Sequence, residues 1–141
     1  VTWGHADWGG NSSAFADRLA AGSSSIVGND FAFAALKEAG EVVTWGASDR
    51  GGDSSAVTDL LAAGVSSIVG NGQAFAALKE AGEVVTWGDA DLGGDSSAVA
   101  DRIAAGVISI VGNEDAFAAL KEAGEVVTWG DANWSGESSG V

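Results

Sequence analysis

Trp3, Trp45, Trp87 and Trp129 stand 42 residues apart, each preceded by threonine and followed by glycine. A fixed period of this size requires one supersecondary unit, repeated, with each copy burying an apolar face against the next. The fifteen letters AFAALKEAGEVVTWG recur unchanged at 32–46, 74–88 and 116–130. The 141 residues form a single repeat array with units 4–45, 46–87 and 88–129 and a partial unit 130–141. A chain that begins with Val1, and that opens and closes inside a repeat, reads as a piece of something longer.

The second copy shows the plan of the unit. GASDRGGDSS (46–55) is a loop dense in Gly, Asp and Ser. SSAVTDLLAAG (54–64) predicts a short helix, with Asp53 or Ser54 as its cap, Val57, Leu60 and Leu61 on one face, and Gly64 at its end. Phe15 and Leu19 before Gly22, and Val99 and Ile103 before Gly106, keep that pattern. Two helical turns are marginal alone, so an irregular connection stays open as the alternative. VSSIVGN (65–71) is β-branched and ends in Gly-Asn, the mark of a strand. QAFAALK (73–79) alternates, with Ala74, Ala76 and Leu78 on one face and Phe75 and Ala77 on the other. EAGE (80–83) turns the chain at Gly82, and VVTWG (84–88) returns as the partner strand. The fold class is therefore a mainly β repeat protein whose units are three-stranded antiparallel meanders with a short helical crossover.

Composition narrows the partners. With 46% hydrophobic residues the chain can build a core, and its lack of Pro, Cys, Met and Tyr suits the copying of one short unit. Twenty acids against six bases give a net charge of −14. Nucleic acid is thereby disfavoured, because phosphate binding rests on clustered Lys and Arg, and so is an anionic membrane surface. No apolar run approaches the ~20 residues that span a bilayer. Without cysteine there is no disulfide and no thiolate zinc site.

The run SSIVGNGQAFAALKEAGEVVTWGDADLGGDSS (66–97) resembles the repeat of the superfamily that includes the regulator of chromosome condensation and beta-lactamase inhibitor protein II. The resemblance is carried by Gly70, Ala77-Leu78-Lys79, Gly82, Val84, Trp87-Gly88-Asp89 and Gly93, and every copy repeats it. It implies propeller blades around an axis, small residues near the centre, and a tryptophan packed between neighbouring blades. AFAALKEAGEVVTWG is then expected as the inner hairpin of a blade, with its Phe and Trp against the adjacent copies. The crossover SSAVADRIAAG is longer than that of the inhibitor and lacks its proline. Three and a third copies do not close a ring of about seven blades. A segment of a longer ring, several chains completing one, and an open superhelical solenoid or filament are the alternatives.

The loops after each Trp-Gly are where the copies disagree: HADWGGN, ASDRGGD, DADLGGD and DANWSGE. Oxygen ligands in a glycine-rich turn make Asp49, Asp53, Asp91 and Asp95 weak calcium candidates, although the spacing and closing Glu of an EF-hand are missing. The simpler expectation is no cofactor: Asp7, Asp49, Asp91 and Asn133 shape the turns, while Asn11, Asp53, Asp95 and Glu137 cap the crossovers. His5 is the sole histidine, with no Cys and no second His to complete a metal or catalytic site. The serines repeat with the scaffold, so no enzyme is expected. Partner contacts are expected from the variable positions His5, Trp8, Phe31 (set against Gly72 and Glu114 of the other copies), Arg50, Leu92 and Trp134.

Two functions follow. The first is a structural or adhesive tandem-repeat segment of an extracellular or cell-surface protein or filament, whose partners are copies of itself or neighbouring repeats. The alternative is a β-propeller module that binds another protein through the variable loops.

Overall fold

In the computed structural model, which describes residues 1–134, the repeated phrase becomes the same hairpin three times. Strands β1 (Ser23–Gly28), β2 (Ala32–Lys37) and β3 (Val42–Gly46) form the first sheet. Strands β4 (Val65–Gly70), β5 (Ala74–Lys79) and β6 (Val84–Gly88) form the second, and β7 (Val107–Gly112), β8 (Ala116–Lys121) and β9 (Val126–Gly130) the third. Each sheet is an antiparallel meander in sequence order. The register sets Phe75 opposite Trp87 and Ala74 opposite Gly88. Among the described residues this is the mainly β repeat that the period requires.

The sheets stack face to face. Ala32, Ala34, Leu36 and Val42 of the first sheet pack against Ile68, Phe75, Ala77, Val85 and Trp87 of the second, with Leu61 and Val65 filling the edge. Ala74, Ala76, Leu78 and Val84 meet Phe117, Ala119, Val127 and Trp129 of the third sheet in the same way. The alternation of β5 thus serves two interfaces, so all its apolar residues are buried rather than every second one. Alanines on the facing strands let the sheets close over the bulky Phe and Trp.

Neighbouring sheets also meet at the ends of their first strands, where a Cβ on Gly70 would lie 3.0 Å from Gly28 O, and in the turns just beyond, where Asp30 N–H donates to Gly72 O (3.2 Å) and Gly72 N–H to Glu114 O (3.0 Å). The inner position therefore belongs to β1, β4 and β7, and AFAALKEAGEVVTWG supplies the middle and outer strands, contrary to the expectation of an inner hairpin. The glycine that closes each first strand permits this backbone approach.

The crossovers are shorter helices than expected. A 3₁₀ turn, Ser55–Val57, leads into α2 (Thr58–Leu61), as Ser13–Phe15 leads into α1 (Ala16–Leu19); the third copy, Ser97–Arg102, is 3₁₀ throughout. Leu61 and Ile103 are buried, Leu19 is half-buried, and Leu60 is 43% exposed. Leu60 takes the place held by Arg18 and Arg102, whose guanidinium groups reach Glu41 and Glu125 at 2.9 Å, so it does not share the buried face of Leu61. The first two crossovers are also held from the sheet, where Lys79 Nζ donates to Leu60 O at 2.6 Å and Lys37 Nζ to the carbonyls of Arg18 and Ala21. Leu61→Ala is expected to lower stability by about 2–5 kcal/mol. Leu60→Arg, which restores the pairing partner of Glu83, is expected to change it by less than about 1 kcal/mol. Denaturant melts of the two variants separate these positions.

Candidate protein-binding rim

The loops after Trp3-Gly4, Trp45-Gly46 and Trp87-Gly88 are tied down by scaffold residues. Thr44 Oγ1 donates to Gly52 O (3.2 Å) and shares a hydrogen bond with Ser54 Oγ (2.9 Å); Thr2 and Thr86 repeat the pattern with Gly10 and Ser12, and with Gly94 and Ser96. The indole of Trp87 donates to Gly51 O (3.2 Å), tying the loop of one blade to the sheet of the next, as Trp45 does with Gly9 and Trp129 with Gly93. Gly51 has φ +102°, and a Cβ there would lie 2.5 Å from the ring of Phe75, so this position admits only glycine.

A second clamp comes from asparagine. Asn29 Nδ2 donates to Arg50 O (2.6 Å) and Asn71 Nδ2 to Leu92 O, while Asn71 Oδ1 accepts from the N–H groups of Gln73 and Ala74. In sequence, Val-Gly-Asn marks only the end of a strand. The signal for more was present, since the Asn recurs in all three copies although a glycine already supplies the break.

The turn expected in each loop is a 3₁₀ turn: Ala6–Trp8, Ser48–Arg50, Ala90–Leu92 and Ala132–Trp134. Its shape is set two residues earlier than anticipated. Asp89 and Asp131 accept from the N–H groups of Asp91 and Asn133 at 2.9 Å, and His5 Nδ1 accepts from Asp7 N–H at 3.2 Å. Asp7, Asp91 and Asn133 therefore follow the turn-forming residue instead of being it, while Asp49 follows Ala47, which makes no such bond. The capping set is as read: Asn11, Asp53 and Asp95 accept from the N–H groups of Ser13, Ser55 and Ser97 at 2.9–3.0 Å. Glu137 lies outside the described residues.

The hydroxyl of Ser55 and then its N–H hold the Asp53 carboxyl below the usual aspartate range, and Ser97 does the same for Asp95. A depressed folded-state pKa means the ionised caps stabilise the fold above the ordinary carboxylate range, and this is lost as pH falls through the folded value. The two carboxylates are exposed, so the effect is small. Carboxyl carbon NMR titration is expected to show Asp53 and Asp95 titrating below the usual aspartate range, and Ser55→Ala to bring Asp53 back up. Among the described residues, no group of three His, Cys, Asp or Glu side chains is placed to hold a metal ion. Asp49 lies 3.9 Å from Arg50, and Asp53 and Asp95 face their own serines.

The variable residues do converge. His5 stacks on Trp8 with ring centroids 4.4 Å apart, and Trp8 meets Phe31 edge-on at 5.2 Å. The Arg50 guanidinium lies 4.7 Å from the centre of the Phe31 ring. Residues from three chain segments thus form one ladder, in which His5 and Trp8 are exposed and Phe31 and Arg50 half-buried. Phe31 O accepts from Ala47 N–H as Gln73 O does from Asp89 N–H, so Phe31 corresponds to Gln73 and Asp115, one place later than Gly72 and Glu114. Leu92 is half-buried on the next loop, and Trp134 ends the segment after it; the Trp134 side chain lies outside the described ones.

No family model and no curated protein matches the sequence. Solved structures do match its fold. Human WBSCR16 superposes with a TM-score of 0.57 at 21% identity, over 81% of this chain and 35% of that one. Prp20p from Saccharomyces cerevisiae, studied for its binding to Gsp1p and histones, gives 0.54 at 19% identity over 76% and 32%. Yeast RCC1 (Prp20) bound to Kap60 gives 0.51 at 17% over 75% and 29%. The chain thus spans about a third of the length of these proteins. They run against the expected extracellular or cell-surface setting, since the fold is that of Prp20p, a protein described with histones. The units of this chain are propeller blades with the RCC1-like repeat fold.

Proposed function

We infer that this chain is a non-catalytic protein-binding module that engages its partner through the loops after each Trp-Gly. The observation that carries this reading is the meeting of His5, Trp8, Phe31 and Arg50 in one accessible ladder. All four lie in the variable segments, while the scaffold beneath them is repeated letter for letter. Aromatic and arginine side chains on a rigid base are the groups that dominate protein interfaces. The structures that share the fold support a partner-binding role, since Prp20p is described with Gsp1p and histones and in complex with Kap60. A net charge of −14 favours a partner with a basic surface around an apolar contact. Self-association, the other partner class considered, draws on a different surface, the uncovered faces of the end sheets.

The test is affinity capture with the wild-type chain and with a Trp8→Ala/Arg50→Ala double variant, followed by titration of the purified captured protein against both. Loss of two central contacts is expected to weaken binding by at least about thirtyfold, each contributing roughly 1–2 kcal/mol or more. Equal binding by the two chains would remove this reading. Asn29→Ala is expected to weaken the same binding while leaving Trp8 and Arg50 in place, because it frees the Arg50 carbonyl from its clamp.

A further inference from the structure

The first two rim loops enclose a cleft of about 480 Å³. One wall comes from Asp7, Trp8 and Asn11 of the first loop and Phe15 of its crossover, the other from Trp45 of β3 and Asp49 of the second loop. Both walls lie inside the chain. The Trp45 indole ties them together through Gly9 O (3.1 Å), so the cleft belongs to the junction and not to an uncovered end. Trp8 is held by His5 and Phe31, and the N–H of Trp45 is already committed, so the rings offer the cleft apolar surface. Asp7 and Asp49 are the same residue of the repeat, 42 positions apart, so each wall carries one carboxylate. No Lys, Arg or His lines the cleft among the described residues.

We propose that this cleft takes a lysine or arginine side chain of the protein partner, its alkyl stem along Trp8 and Phe15 and its cationic head between Asp7 and Asp49. The proposal rests on the reading above that the rim is the binding surface, and names the chemistry the partner brings to it. Long basic side chains join an apolar stem to a charged head, which is the division the cleft presents. A cation beside an indole gains further attraction, and carboxylates are the strongest acceptors for its N–H groups. An acidic side chain would meet two like charges here. A purely apolar one would strip water from two carboxylates with no bond to replace it. Arg50 Nε stands 3.9 Å from Asp49, beyond hydrogen-bond reach, so that carboxylate keeps its capacity to accept.

The repeat supplies its own comparison. At the next junction Asp49 and Asp91 hold the two carboxylate positions, but Arg50 replaces Trp8 and Val57 replaces Phe15. That junction has a cation of its own and lacks the aromatic wall. The basic side chain is therefore read at the first junction and not along the whole array.

Capped glycine-rich peptides centred on Arg, Lys or citrulline, titrated into the isotope-labelled chain and followed by NMR, test this. Citrulline keeps the shape of arginine without its charge. The Arg or the Lys peptide is expected to move the amides of Asp7 and Asp49 and the Trp8 indole saturably, while the Asp91 amide stays in place. The citrulline peptide, and the basic peptides at high salt, are expected to bind at least about threefold more weakly. Asp7→Asn/Asp49→Asn alters two exposed side chains and is expected to weaken the basic peptide, and the captured partner, at least about threefold. Asp59→Asn/Asp101→Asn makes the same change in net charge on the crossovers, and is expected to leave both within about twofold. Equal binding of the Arg, Lys and citrulline peptides overturns the proposal. So do shifts that spread to Asp91 and Asp115 without saturating, or an affinity that survives Asp7→Asn/Asp49→Asn. If the cleft fails in this way while Trp8→Ala/Arg50→Ala still weakens the captured partner, the rim is the binding surface and its chemistry is not that of a basic side chain.

Discussion

Trp87→Ala is expected to lose about 3–5 kcal/mol of folding stability, the range for deleting a large buried aromatic. Against the ~5–15 kcal/mol that holds a typical domain, this removes much of the cooperative melt. Trp87 is 4% exposed, stacks on Phe75 at 5.4 Å, and donates its indole N–H to Gly51 O in the preceding blade's loop. Trp87→Phe keeps most of the apolar contact but strands that carbonyl, and is expected to cost about 1–3 kcal/mol. Trp3 supplies the control. It has the same Thr-Trp-Gly setting but is 83% exposed, so Trp3→Ala is expected to change stability by no more than about 0.5 kcal/mol. Chemical denaturation followed by far-ultraviolet circular dichroism measures all three. Equal losses at Trp3 and Trp87 would mean that the repeated tryptophan does not owe its role to the blade junction.

Gly82→Ala is expected to be nearly as damaging, and for a different reason. Gly82 turns the hairpin at φ +88°, where a side chain adds strain of about 1–3 kcal/mol. An added Cβ would also lie 2.7 Å from the backbone nitrogen of Gly106, at the start of the next blade, and Gly82 O accepts from Val107 N–H there. A backbone atom cannot swing aside as a side chain does, so overpacking adds about 1–3 kcal/mol. Gly124 ends the same Glu-Ala-Gly turn at φ +92° but faces open space. Gly124→Ala is therefore expected to show the strain alone, and the difference between the two variants isolates the blade-to-blade contact. Thermal melts of the pair would contradict the stacked arrangement if they coincided.

Much of this was legible in the sequence because the repeat itself carries it. The 42-residue spacing of tryptophan fixes the unit, the alternation in AFAALK fixes a strand, and Gly82 fixes the turn between β5 and β6. Burial of the repeated Phe and Trp between blades follows once copies are stacked. What the letters did not yield depends on contacts between segments distant in sequence. Leu60 reads as apolar and helical, but the crossover is only one α turn long, so it reaches solvent where Arg18 and Arg102 reach glutamates. The inner position of β1, β4 and β7 is set by backbone approach at their closing glycines, which residue pattern alone does not rank against the hairpin. The turn-forming residues are Asp89 and His5, two places before Asp91 and Asp7, because such a turn bonds forward from its first residue.

The rim was half legible. Variation among otherwise identical copies marked His5, Trp8, Phe31 and Arg50, but nothing in their spacing shows that they stack on one another. Phe31 joins them because Asn29 folds the chain beneath it, its Oδ1 accepting from Phe31 N–H at 2.8 Å. The Asn clamp is a scaffold feature with a consequence for function, and its invariance was its only trace in the sequence. The extracellular expectation rested on acidity and repetition, which describe solubility and duplication and not location.

The division between a fixed scaffold and a working rim is tested most directly by rewriting the first loop in the letters of the third copy. His5→Asp, Trp8→Leu and Phe31→Asp, combined with Arg50→Leu, place on the rim the residues found at 89, 92 and 115, with no change to the sheets. Titration of the captured partner against this variant, with its melting temperature recorded alongside, is the measurement. Unchanged melting, to within about 1 kcal/mol, with loss of binding is the expected result. Binding that survives the exchange would place the partner's site elsewhere and contradict the assignment of function to these loops.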